Sequence, residues 1–311
     1  MQTHRLGATA LQVPVVSFGT GSIGGFFGSV DENAAIALVS EAIDHGITLF
    51  DTSPYYGLAE ERLGKALSPA RRDAVILATK AGRYGRNDFD FRPERIRQSV
   101  QESLRRLNTD RVDILQLHDI EFAPLGPIFD DTVAELLRLR QEGCCRFIGM
   151  TGYPVATFTR VLTETPVDVV LTYAKSTLLD DALTTDLVPL ARQSGVGVMN
   201  AAAVASGLLT PRGPADGASH AAPSVVQDAA RRMRELAAAR GADIAFLANQ
   251  YSIQRSDADT TVVGVGRPQH LHAAIAAAQA PIDEELLDEL LTLRPDPASR
   301  SWRVGLEENN Q

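Results

Sequence analysis

Eight short aliphatic runs recur along the whole 311-residue chain, at 15–20, 48–51, 75–80, 112–119, 146–151, 167–172, 196–201 and 260–265. Several are hydrophobic almost throughout, the pattern of parallel strands covered on both faces. Between them lie stretches with apolar residues at helical spacing. One, over 31–46, opens on acidic residues and stops at Gly46; another, over 92–108, carries Pro93 in its first turn, where proline is tolerated. Eight strand–helix alternations without a low-complexity linker predict a (β/α)8 TIM barrel, one α/β domain over residues 1–311. Residues 2–14 precede the first barrel strand and read as an N-terminal hairpin capping the barrel floor. A long Pro/Gly/Ala loop follows strand seven at 211–224 and is placed to fold over a bound ligand. The tail from Arg294 onward does not fit the repeat.

The net charge of −9 excludes the basic face that nucleic acid requires. No apolar run reaches the length of a membrane span, and Met1 to Val15 does not resemble a signal peptide. The only cysteines, Cys144 and Cys145, are adjacent at the entry to strand five, so no disulfide framework forms. The expected setting is a reducing cytoplasm, for a monomer or homo-oligomer acting on a small molecule.

Reactive groups of such barrels sit where strands end, on the C-terminal rim. The strand ends here supply Asp51, Lys80 and His118, with Tyr56 on the loop after Asp51. A buried Asp51 needs a cation, and Lys80, from the neighbouring strand, is that cation. A free tyrosine titrates near ~10, too high for ready proton exchange at neutral pH, and a buried ammonium beside it is expected to lower that value. His118 is expected to orient a substrate oxygen by a hydrogen bond. The set serves proton transfer at a carbinol or carbonyl oxygen, without metal, and its redox partner must be a hydride carrier. The last strand runs through a glycine turn into a helix near Pro268, a site for a pyrophosphate or phosphate. Gly19, Gly21 and Gly24 form a G-x-G-x-x-G string, but helical character starts only around Asp31. The string therefore reads as a flexible loop beside the site rather than a dinucleotide-binding turn. Phe26 and Phe27 on that loop, with Tyr55 and Tyr84, are candidate walls of the substrate pocket. Tyr84, Phe89 and Phe91 read equally well as loop packing, and Trp302 as tail packing. His270 and His272, two residues apart, make a poor metal pair.

The segments FDTSPYYG, ATKAGRY, LQLHDIEF and RFIGMTGYP resemble the signatures of the aldo-keto reductases. More narrowly, they resemble the sugar 1-dehydrogenase branch, whose members oxidise L-galactose, L-fucose or D-threo-aldoses. The resemblance runs from about Leu6 to Ala278. It implies a catalytic tetrad of Asp51, Tyr56, Lys80 and His118, and NAD or NADP as cofactor. It also implies cofactor contacts at Thr20, Asp51, Thr151, Thr172, Ala201, Gly207, Leu209, Gly264, Gly266, Arg267 and His270.

The chain departs from the family at several of these positions. Thr151–Gly152 replaces a Ser-Asn pair, Thr172 a glutamine, Ala201 a stacking aromatic, and Ala274 the asparagine that meets adenine. Gly264 and His270 stand where NADPH-dependent members carry Lys and Arg, which leaves Arg267 and tilts the choice towards NAD. Ala174–Lys175–Ser176 replaces the Asn- or Cys-His-Tyr segment usual in the sugar branch. The expected reaction is oxidation of an aldose at C1 to the lactone. The alternatives are NADPH-dependent reduction of a non-sugar aldehyde or ketone by the same residues, or a catalytically idle nucleotide-sensing barrel.

Overall fold

The computed structural model describes residues 1–26, 28–214 and 220–310. An antiparallel hairpin of β1 (Thr3–Arg5) and β2 (Gln12–Pro14) precedes a closed parallel barrel. The barrel strands are β3 (Val16–Gly19), β4 (Leu49–Asp51), β5 (Ile76–Ala81), β6 (Val112–Leu117), β7 (Cys145–Gly152), β8 (Val169–Tyr173), β9 (Gly197–Ala201) and β10 (Thr260–Gly264). They pair in sequence order, and β10 returns to β3 to close the ring.

All eight predicted strands are therefore present, and the hairpin does cap the floor. Leu6, Leu11 and Val13 pack into one apolar cluster with Leu49, Ala78, Ile114, Val169 and Met199 from inside the barrel. The outer faces of the strands bury against the helices in a separate core. The first helix, Glu32–Asp44, has Asp31 as N-cap, its carboxylate accepting from the Ala34 amide 2.9 Å away. Gly46 follows it at φ +81°, the left-handed turn that ends such a helix. Because this helix begins so far beyond Gly24, the glycine string forms no strand-to-helix phosphate turn. The helices before β7 and β9 contain π-helical turns, Ile128–Thr132 and Leu183–Leu187, which periodicity does not anticipate.

The tail is ordered by specific bonds. Arg294 is held by the carbonyls of Thr177 and Leu178 and by Asp181, which also binds Arg300. Farther on, the Leu306 amide and the Asn309 side chain both donate to the Glu121 carbonyl, at 2.8 and 3.0 Å. Gly305, directly before Leu306, has φ +75°, and any Cβ there would fall 2.1 Å from that same carbonyl. The tail thus straps down the segment that follows β6. Among the described residues, no helix is long and apolar enough to cross a membrane.

Candidate active site

A cavity of about 370 Å³ opens at the C-terminal end of the barrel. Asp51, Tyr56, Lys80 and His118 all line it, so the structure brings the predicted set together. Asp51 ends β4, and Lys80 lies in β5, whose Ala78 pairs with Asp51 across the ladder. The two side chains are 2.5 Å apart, and both residues are almost fully buried. The Lys80 ammonium also donates to the Thr52 carbonyl at 3.0 Å, while Asp51 accepts from Gln116 at 3.4 Å. Burial disfavours this ammonium, but Asp51 above all, by its charge and its hydrogen bond, outweighs it and holds the lysine pKa above its ordinary value.

Tyr56 is positioned by a tight turn in which its amide donates to the Ser53 carbonyl at 3.0 Å. Gly57 then takes φ +61°, and a Cβ there would meet the Gly24 carbonyl oxygen at 2.7 Å. The turn following Tyr56 therefore requires glycine. The Lys80 nitrogen sits 5.0 Å from the centre of the Tyr56 ring. Lys80 does lower the phenol's pKa, as expected from the sequence. Burial of the ring acts more strongly, however, and Asp51 and Asp119 add to it, so the phenol is pushed up to about 12. The expectation of a net-acidified phenol is corrected accordingly: enclosed as it is, Tyr56 carries its proton at neutral pH.

His118 follows β6, with its ring perpendicular to that of Tyr56 and the centroids 5.7 Å apart. Its Nδ1 lies 3.0 Å from Ser53 Oγ, which already accepts the Tyr55 amide at 3.1 Å. With the serine hydroxyl assigned as the donor to Nδ1, the imidazole proton is placed on Nε2. Burial, reinforced by the charges of Lys80 and Arg83 against that of Asp119, lowers the imidazole pKa to about 3. It is neutral throughout the physiological range.

This has a consequence for stability. An unfolded imidazole binds a proton below about pH 6.5, the folded one only below about 3, so between these values the unfolded state holds more protons. Stability should fall as the pH drops through that window. The gap between the wild type and a His118→Gln variant should change by about 1.4 kcal/mol per pH unit in urea titrations from pH 6.5 down to 4.5. Parallel curves would show that the folded imidazole is not desolvated.

Of the other residues singled out, Thr151, Ala201 and Gly264 line the cavity beside Asp51. Thr20 is buried and donates to the Asp51 carbonyl, fixing β3 against β4. Thr172 is buried and faces the Tyr153 carbonyl at 3.4 Å. Gly207 lies in the turn after β9 at φ +99°, and Leu209 is buried in the core under the long loop. Gly266 packs on Ser22, while Arg267 and His270 are exposed at the start of helix Pro268–Gln279. Phe26 and Tyr55 line the cavity with ring centroids 4.9 Å apart. Phe27 and residues 215–219 of the long loop lie outside the described residues.

Tyr84 turns away from the cavity. Its hydroxyl accepts the Gly82 amide at 3.1 Å, and Arg95 stacks on its ring at 3.8 Å. The neighbouring Arg83 reaches inward instead, 4.2 Å from the Tyr55 ring centre and paired with Asp119. Sequence reasoning missed this pair; its only trace is the arginine of "AGRY" and the aspartate directly after His118. Lys175, in the segment that departs from the sugar branch, lies outside this cavity. It faces a separate 690 Å³ space under the tail, buried against the Tyr153 ring and bonded to Asp180 and Ser301. Trp302 packs on the same tyrosine at 4.8 Å. His272 pairs with Glu41 on the outer wall at 2.6 Å.

With this geometry in place, the sequence comparisons are decisive. The model of the Aldo/keto reductase family matches residues 15–293. The chain belongs to the aldo/keto reductase family. The chain is 40% identical to the L-galactose dehydrogenase of Arabidopsis thaliana over 99% of both proteins. It is 30% identical to the D-threo-aldose 1-dehydrogenase of a Pseudomonas species over 88% of this chain and 92% of that one. Among solved structures it is similar to the holo form of the aldo-keto reductase AKR11C1 from Bacillus halodurans. That match has TM-score 0.80 and 27% identity, with both chains covered in full. As an aldo-keto reductase the protein is an oxidoreductase enzyme, and the idle-barrel reading is set aside.

Proposed function

We propose that this reductase-fold enzyme oxidises an aldose at C1 to the lactone, passing hydride to NAD or NADP. The catalytic residues are Asp51, Tyr56, Lys80 and His118, acting as one barrel domain in the cytoplasm. The observation that carries the reading is the buried Asp51–Lys80 pair set against Tyr56 and His118 in a cavity large enough for a sugar. The likeness to two aldose dehydrogenases supports the substrate class.

The residues fit a nicotinamide dinucleotide. Gly264 offers bare backbone to the cavity, and no side chain caps the helix that starts at Pro268. Arg267 at that helix start is exposed and makes no ion pair among the described residues, so a phosphate has amides and a cation to meet. Once bound, the nicotinamide supplies the hydride acceptor. His118 Nε2–H holds the reacting oxygen, Tyr56 in its phenolate form takes that oxygen's proton and becomes the neutral phenol, and Lys80, kept charged by Asp51, stabilises the phenolate before the transfer. Run in reverse, the protonated Tyr56 donates to a carbonyl oxygen. Its elevated pKa favours this direction, which keeps NADPH-dependent reduction of an aldehyde or ketone as the second reading.

The test is a screen of aldoses with NAD⁺ and NADP⁺ against simple aldehydes with NADH and NADPH, followed at the reduced-nicotinamide absorbance. Turnover of aldehydes alone would remove the sugar assignment. NAD is favoured because Arg267 is the one strong cation at the final turn. Arg267→Ala is expected to raise KM for NADP by about tenfold or more and to alter that for NAD only a few-fold. Equal changes in both would mean that Arg267 does not contact the 2′-position.

A further inference from the structure

We propose that Asp119 reads a substrate hydroxyl beside the reacting carbon and that Arg83 holds it in place to do so. The inference deepens the aldose reading and rests on it.

Only two carboxylates line the cavity among the described residues, Asp51 and Asp119. Asp51 is committed to Lys80 and Gln116. Asp119 is held from behind: Arg83 donates to Oδ2, and the Thr151 hydroxyl donates to Oδ1 at 3.3 Å. A carboxylate offers roughly four lone-pair sites, so about two remain for a ligand. The guanidinium has less to give. Besides Asp119 it donates to the Tyr55 hydroxyl at 3.3 Å and to the carbonyls of Gly85 and Arg86. Arg83 is therefore the positioning residue, and Asp119 the acceptor.

The location of Asp119 specifies which hydroxyl it meets. Oδ2 lies 3.8 Å from His118 Nε2, the nitrogen assigned to the reacting oxygen. A carboxylate so close to that contact is placed for the oxygen on the adjacent carbon, the 2-hydroxyl of an aldose. Asp119 also has φ +56°, a left-handed conformation that aspartate and asparagine tolerate better than most side chains, which fixes it on the rim. Leu171, Ala201, Ala202 and Val262 make part of the wall apolar, and although Ser22, Tyr55, Tyr173 and Ser206 bring hydroxyls, Asp119 is the one carboxylate there that is not committed to Lys80. A plain aldehyde leaves the free lone pairs of this nearly buried carboxylate without partners, and a 2-hydroxylated substrate satisfies them.

The experiment compares kcat/KM for the best aldose, its 2-deoxy analogue and a small aldehyde without hydroxyls, in the wild type, Asp119→Asn and Arg83→Lys. Asparagine keeps the left-handed backbone but replaces one acceptor oxygen with a donor. The wild type is expected to prefer the aldose over its 2-deoxy analogue by about a hundredfold or more, and Asp119→Asn to compress that preference to about tenfold or less. Arg83→Lys should raise KM for the aldose far more than it lowers kcat, and should hardly change KM for the aldehyde. Equal loss on all three substrates, or a wild type indifferent to the 2-hydroxyl, would overturn the proposal while leaving the aldose reading intact. A wild type that turns over aldehydes but no aldose would overturn both.

Discussion

Replacing Tyr56 by phenylalanine is expected to lower kcat by about a thousandfold while leaving the dissociation constant of the cofactor within a few-fold of its original value. A thousandfold loss corresponds to about 4 kcal/mol of transition-state stabilisation, the range that one well-placed acid or base supplies. The change removes a single oxygen from a ring that also packs on Phe26 and His118, and phenylalanine keeps those contacts. Tyr55 is the internal control. Its hydroxyl faces Arg83 and not Lys80, so Tyr55→Phe should cost far less in kcat. Equal losses of turnover and cofactor binding in Tyr56→Phe would show that the ring is structural.

The second large effect is expected from Lys80→Met. Without the ammonium, nothing offsets the burial that already drives the Tyr56 phenol to about 12, so oxidation at neutral pH should fall by about 10²–10⁴. The residual rate of oxidation should go on climbing to higher pH than in the wild type. Removing one partner also strands Asp51 in the interior, a loss of about 3–5 kcal/mol in stability. A double variant, Asp51→Asn with Lys80→Met, should recover much of the stability and none of the activity. Retained activity with an unchanged pH profile in Lys80→Met would refute the electrostatic role.

How far the sequence reaches depends on the kind of information each feature needs. The barrel strands were legible because continuous aliphatic runs state their own burial, and helix 32–44 because its cap and its glycine are local signals. Asp51, Lys80 and His118 were legible for the same reason: each terminates or leaves such a run, and the barrel topology then dictates their proximity. The loops were not. Tyr84 and Arg83 are neighbours, and only the packing of Arg95 against one and Asp119 against the other decides which faces the cavity. The tail's hold on the Glu121 carbonyl joins residues nearly two hundred positions apart and leaves no periodic trace. The direction of the Tyr56 pKa shift likewise depended on how deeply the ring is enclosed, which one neighbouring charge cannot reveal.

The hairpin of β1 and β2 has an effect on traffic as well as on packing. With Leu6, Leu11 and Val13 stoppering one end of the barrel, the cavity is reached from the opposite end, where Phe26 and Tyr55 stand among the described residues. If hydride carrier and substrate both enter there, as the proposed reaction requires, the one that lodges deeper is expected to arrive first and depart last, a queue rather than two independent visits.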